Sequence, residues 1–126
     1  MLRFLNPAGP KPYPGAAGSW QLGQATAASR ALTAALRKEK LTVLAIGHLT
    51  NIATVVKMHP ELASRIERVV AVAGRRPEQR FLVGTTNPRS LRDFNFEMDP
   101  AAFQIVLDSK VPLVLAPFEI YIAELA

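Results

Sequence analysis

Between Leu41 and Ala53 the spacing of apolar positions changes in kind. Leu41–Ile46 is an almost unbroken apolar run that includes β-branched Thr42, Val43 and Ile46, and Gly47 ends it. Past the glycine, Leu49, Ile52, Val55 and Val56 recur at helical spacing. A continuous apolar run that turns into a helical period across a glycine predicts strand, tight turn and helix. The run has almost no polar side, so the strand is expected to be covered on both faces, as in a parallel sheet. Ligands of open parallel sheets sit outside the carboxyl ends of the strands. Residues 46–51 are therefore where chemistry is expected.

The same reading extends both ways. Thr26 to Lys38 is alanine-rich, with Ala25, Ala28, Leu32, Ala35 and Leu36 on one face and Arg37, Lys38 and Lys40 towards its end. This predicts a first helix whose basic end suits the negative pole of the helix dipole. A second helix is expected from about Thr50 to Met58. A short third follows from Pro60, since proline is tolerated at the first helical position. Arg68–Ala73 reads as a second buried strand closed by Gly74, and Pro112–Ala116 as a third. Residues 75–92 are polar without sustained period and read as a long loop, a length that usually carries function or disorder. Asp99-Pro100 predicts a capped helix start, followed by the apolar stripe Phe103, Val106 and Leu107. The order of elements is α/β with parallel connections.

Residues 1–23 carry Pro7, Pro10, Pro12 and Pro14 among several glycines, a density that disfavours regular structure. They are expected to form an extended lead-in, anchored by Phe4, Tyr13 and Trp20, before a single α/β domain over 24–126. Three interior strands make a narrow sheet with open edges. The expectation is thus a partial domain, the central strands and helices of a larger one.

Composition narrows the classes. With 49% hydrophobic and 20% charged residues the chain is globular rather than disordered. The absence of cysteine excludes disulfides and thiolate metal sites. No apolar stretch is long enough for a membrane span, and no secretory signal is evident, which makes the cytoplasm the default compartment. The net charge of +5 permits attraction to polyanions, but nucleic acid is not the favoured partner. Arg75, Arg76, Arg80, Arg89 and Arg92 read first as a solvated face and second as a phosphate-recognising loop. His48 reads as a rim residue.

Four segments, in order, carry a resemblance. Leu44 to Ala53, LAIGHLTNIA, resembles the L-A-x-G-P-L-T-N-I-A segment of the inosine-uridine-preferring nucleoside hydrolases. Val69–Gly74 is similar to their V-V-x-M-G-G strand, Asn87–Asn95 to N-x-T-P-x-A-E-F-N, and Asp99–Ala102 to D-P-E-A-A. The resemblance spans most of residues 13–122. It implies a parallel-sheet, Rossmann-like fold and hydrolysis of the N-glycosidic bond of a ribonucleoside to base and ribose. It also implies calcium as cofactor, an oxygen-loving ion that can orient water and ribose hydroxyls.

Residue by residue, the resemblance assigns ribose contacts to Asn87, Asp93 and Asn95, and a calcium-ligating backbone carbonyl to Ile46. Phe94, between Asp93 and Asn95, is expected to pack inward. Asp93 stands where the family has Glu, with a reach shorter by about 1.5 Å, one methylene. His48 replaces a proline, and Arg75 a glycine. The family's D-x-D-P-G-x-D-D cluster and its His-Asp pair have no counterpart in this sequence, so no catalytic residue is assigned. The chain alone is expected to be inactive, with a second chain or a homo-oligomer completing the sheet. The alternative is a non-catalytic binder of nucleosides, nucleotides or RNA through residues 75–92. An unstable gene remnant is a further reading.

Overall fold

Two parallel strands and the helix that links them form the centre of the structure, a computed structural model that describes residues 8–87 and 89–117. Strand β1 (Leu41–Ala45) leads through Gly47 into helix α2 (Thr50–Met58), and a 3-10 turn over Pro60–Arg65 returns the chain to β2 (Ile66–Val72). Helix α1 (Ala27–Lys38) precedes them. Strands β3 (Phe81–Val83) and β4 (Arg89–Leu91) follow, then the short helix α3 (Phe94–Glu97), helix α4 (Pro100–Asp108) and β5 (Leu113–Ala116). The main sheet has the order β1-β2-β5, parallel throughout, with Val43 opposite Val69 and Val69 opposite Leu113.

Local chemistry sets the helix ends. Thr26 and Ser29 cap α1 reciprocally: the Ser29 amide donates to Thr26 Oγ1 at 3.1 Å and the Thr26 amide to Ser29 Oγ at 2.8 Å. Ala25 lies outside the helix and is exposed, and the buried line of α1 is Ser29, Thr33 and Leu36. Helix α2 is buried nearly all round, through Thr50 and Ile52 to Val56. It lies between α1 and α4, above the sheet, which is why it contains β-branched and small residues where a surface helix would carry charge. One hydrophobic cluster joins Leu36, Leu49, Ile52, Val55, Val69, Ala71, Phe103 and Val106.

All these helices cover one face of the sheet. Val69 and Ala71 are fully buried, while Leu44 and Ile46, which point the other way, are 67% and 74% exposed. Val114, in register with Val70 and hence with Leu44, is 46% exposed. The expectation of strands covered on both faces is therefore corrected: the apolar run in β1 has a face that no described residue covers. The segment 75–92 is also more ordered than a loop. β3 and β4 pair antiparallel, Phe81 opposite Leu91 and Val83 opposite Arg89. Strands of three residues are too short to show a two-residue period in sequence.

The lead-in is anchored by polar groups rather than by rings. Tyr13 and Trp20 are 66% and 70% exposed, and Phe4 lies outside the described residues. Instead Asn51 Oδ1 accepts from the Ala16 amide at 2.9 Å, and Thr54 Oγ1 from the Gly23 amide at 3.0 Å. The Ala28 amide donates to the Pro14 carbonyl at 2.9 Å. Proline-rich backbone leaves its remaining N–H groups without secondary-structure partners, and side chains of α2 supply them. Gly15 packs so closely on α2 that a Cβ there would sit 2.5 Å from Asn51 Nδ2. Among the described residues no helix is long and apolar enough to cross a membrane.

The two faces of the sheet predict opposite responses to truncation. Leu36→Ala, at a fully buried position, should cost about 2–5 kcal/mol in urea unfolding. Leu44→Ala should cost under about 1 kcal/mol. Equal losses would show that the Leu44 face is covered in solution.

Candidate functional site

The neighbouring parallel strands β1 and β2 end on the same side of the sheet, and the chain returns there at α3 and α4. Asn95, on α3, joins the two strand ends. Its Nδ2 donates to the Val72 carbonyl at 2.7 Å and lies 3.4 Å from the Ile46 carbonyl. With the amide nitrogen so engaged, Oδ1 has no hydrogen-bond partner among the described residues and remains an acceptor. Asp93 is nearly buried, at 7% exposure. One of its oxygens accepts from the Gly74 amide at 2.7 Å and the other caps α3 through the Phe96 amide at 3.3 Å. Gly74 has φ +94°, a left-handed conformation that turns the chain away past the end of β2.

Ile46, Asp93 and Asn95 are thus gathered at one rim, the positions where the sequence pointed. No hydrogen bond among the described residues joins Asn87 to them. Asn87 is exposed, in the bend between β3 and β4. The inward packing expected of Phe94 is corrected. Phe94 is 55% exposed, and it is Phe96, itself 41% exposed, that sets its ring edge-on to Phe103 of α4 at a centroid distance of 5.1 Å. Asp93 caps the helix, and the cap sets which ring faces α4. Beside the rim lies a concavity of about 380 Å³ lined by Asp93, Phe96, Phe103 and Leu115, with Arg75 also contributing.

Beneath the rim is a buried polar chain that sequence reasoning read only in part. Asp99 does cap its helix, accepting from the Ala102 amide at 3.1 Å. Its other oxygen accepts from Thr50 Oγ1 at 2.5 Å, and His48 Nδ1 lies 2.9 Å from that same hydroxyl. Thr50 has one proton and gives it to Asp99, so its oxygen is the acceptor for His48 and Nδ1 bears the hydrogen. The cap is legible from Asp-Pro. Its partner, 49 residues away, carries no sequence signal.

The residues present do not by themselves fit a calcium ion. Among the described residues the Ile46 carbonyl is engaged by the long contact from Asn95 alone, and it suits one oxygen vertex. Calcium takes roughly six to eight oxygens, and the described residues contain no group of three or more His, Cys, Asp or Glu side chains placed to share a metal. What the rim can do is accept hydrogen bonds from a hydroxylated ligand, through Asn95 Oδ1 and the remaining lone pairs of Asp93.

A parallel sheet with helices packed on one face and a polar rim at the carboxyl ends of its strands defines an open α/β protein of the Rossmann-like class. The chain belongs to the inosine-uridine-preferring nucleoside hydrolase family, whose model matches residues 7–125. It is 39% identical over 80 residues to an uncharacterized protein of Schizosaccharomyces pombe, and 34% identical over 83 residues to the pyrimidine-specific ribonucleoside hydrolase RihA of Escherichia coli. These matches take in 64% and 66% of this chain and 24% of each relative, so the chain spans about a quarter of their length. The crystal structure of an inosine-uridine preferring nucleoside hydrolase from Bacillus anthracis superposes with a TM-score of 0.62 at 25% identity, covering 75% of this chain and 32% of that one. A purine-preferring ribonucleoside hydrolase from Gardnerella vaginalis, 24% identical over 75% of this chain and 28% of its own, shares the fold with a TM-score of 0.58.

The buried chain predicts that Thr50→Val, nearly isosteric, destabilises the protein by about 1–3 kcal/mol, because it strips a donor from a buried carboxylate. Chemical denaturation measures this. A change below about 0.5 kcal/mol would mean that Asp99 does not depend on the hydroxyl.

Proposed function

We propose that this chain provides the ribose-gripping rim of a nucleoside hydrolase site and that the acidic groups which would hold calcium and take a proton from water come from outside these 126 residues. Asn95 carries the reading. Fixing its nitrogen on the ends of β1 and β2 presents its oxygen beside the Ile46 carbonyl, at the place where ligands of this sheet class sit. Asp93 would accept a second sugar hydroxyl at its side, and Asn87 would join from the bend of the hairpin. The Ile46 carbonyl would contribute one oxygen to a calcium ion whose other ligands come from outside these residues.

The family's reaction, release of a free base from a ribonucleoside, is then a property of the completed assembly. The sheet face bearing Leu44, Ile46 and Val114 is the surface against which a completing layer would pack, since an apolar area of that kind is stabilised by removal from water.

Calorimetric titration with uridine and inosine tests the rim. Binding should weaken about tenfold in Asn95→Ala, as expected for the loss of one good hydrogen bond, and less in Asn87→Ala. Failure of both nucleosides to bind would remove the ribose reading. With calcium added, the chain alone should release no base. Base release at an enzymatic rate would show that the acidic groups are not needed from elsewhere.

A further inference from the structure

The turn between β1 and α2 carries a side chain that the ribose reading leaves unused. His48 follows Ile46 and Gly47 at the carboxyl end of β1 and is half-buried. Its Nδ1 lies 2.9 Å from Thr50 Oγ1, which in turn lies 2.5 Å from Asp99 Oδ2. Thr50 is fully buried and Asp99 is 1% exposed. The carboxylate takes the threonine proton, so the hydroxyl oxygen is left to accept from the ring. In a neutral imidazole one nitrogen carries the hydrogen and the other is an acceptor. The buried chain therefore selects the tautomer, with the hydrogen on Nδ1 and a bare lone pair on Nε2.

The two nitrogens lie on opposite sides of the ring. With Nδ1 turned to a buried hydroxyl, Nε2 is turned away from the interior, and it has no hydrogen-bond partner among the described residues. The backbone between Ile46 and His48 is uncovered there: a Cβ added to Gly47 would meet no atom within 4 Å. At the same strand end, Asn95 has its nitrogen on the Val72 and Ile46 carbonyls and keeps Oδ1 as an acceptor. Asn95 Oδ1, the remaining lone pairs of Asp93 and His48 Nε2 are all acceptors. Ribose hydroxyls are donors, whereas the edges of nucleobases mix donors with acceptors. A set composed of acceptors matches the sugar. An acceptor already fixed in place also loses little freedom when the ligand arrives.

We propose that His48 is a ligand contact of the ribose rim, its Nε2 accepting a hydrogen bond from one ribose hydroxyl. Thr50 and Asp99 are then positioning residues, which hold the ring in its accepting tautomer. The assignment rests on the ribose reading above and adds a contact to it. Proline, which the family pattern has at this position, offers no side-chain acceptor, so the contact is particular to this chain.

NMR of the nitrogen-labelled full chain at about pH 8, where a free imidazole is neutral, reads the tautomer directly. His48→Asn distinguishes the signals of His48 from those of His59. His48 should show a protonated Nδ1 and a bare Nε2, and Thr50→Val should let both tautomers appear. A protonated Nε2 in the unsubstituted chain would overturn the proposal. A tautomer unmoved by Thr50→Val would remove Thr50 and Asp99 as positioning residues.

Calorimetric titration tests the contact itself. Asparagine keeps a donor near the place of Nδ1 and lacks the far nitrogen. His48→Asn should therefore keep the urea midpoint of the unsubstituted chain and bind uridine and inosine about tenfold more weakly, equally for the two. With one of the 2′-, 3′- and 5′-deoxy forms of uridine the substitution should have no effect, which identifies the hydroxyl. Unchanged uridine binding in His48→Asn, a loss for one base only, or a loss that persists with every deoxy form would overturn the contact. In each of those cases weaker binding in Asn95→Ala would leave the ribose reading standing. If neither nucleoside binds the unsubstituted chain, the ribose reading fails and the contact falls with it.

Discussion

Asp99 is the residue on which the arrangement of the rim depends. It is 1% exposed, and a carboxylate at that depth is tolerable only when its oxygens are satisfied. One oxygen takes the first turn of α4 and the other takes the hydroxyl at the start of α2. The two helix N-termini are therefore pinned to a common point, and the turn Ile46–Leu49 that leads into α2 is pinned with them. Since α3 immediately precedes Asp99 in the chain, Asn95 is delivered to the ends of β1 and β2 by the same constraint. Loss of this contact would disturb packing and rim geometry together, because both are set from one place.

The parts of the fold readable from sequence are those governed by local chemistry and by one apolar period. Thr50–Met58 follows from Leu49, Ile52, Val55 and Val56, and its observed limits agree with that spacing. The three parallel strands follow from short apolar runs, each ended by glycine or proline. What stayed hidden depends on partners distant in sequence. The buried line of α1 is Ser29–Thr33–Leu36 because α2 lies against it, and polarity alone would turn that face to water. The hairpin has strands too short for a period to emerge. Tyr13 and Trp20 drew attention as anchors because rings usually bury; the backbone of a proline-rich segment has a more pressing need for hydrogen-bond partners, and Asn51 and Thr54 meet it.

The candidate site divides in the same way. Ile46, Asp93 and Asn95 were visible as parts of motifs, and they meet because α3 follows the hairpin back to the strand ends. Asn87 lies in the motif but also in the bend between β3 and β4, where strand pairing rather than motif decides its position. The substitutions relative to the family pattern, His48 for proline and Arg75 for glycine, both fall at the rim. One adds a ring that hydrogen-bonds to Thr50, and the other adds a guanidinium to the wall of the concavity beside Asp93. Family membership describes the frame, and these two side chains describe what is particular to this chain.

Gly15 carries a consequence for how the first segment can vary. Its surroundings, not its dihedral angles, forbid a side chain: the nearest obstacle is the Asn51 amide, itself held by the Ala16 N–H. An alanine there would have to push that amide aside and so give up the bond that docks the segment. A stretch whose composition reads as a spacer is thus a shaped part with a fixed seat. It could not be exchanged for a generic flexible tether of equal length without exposing the outer side of α2.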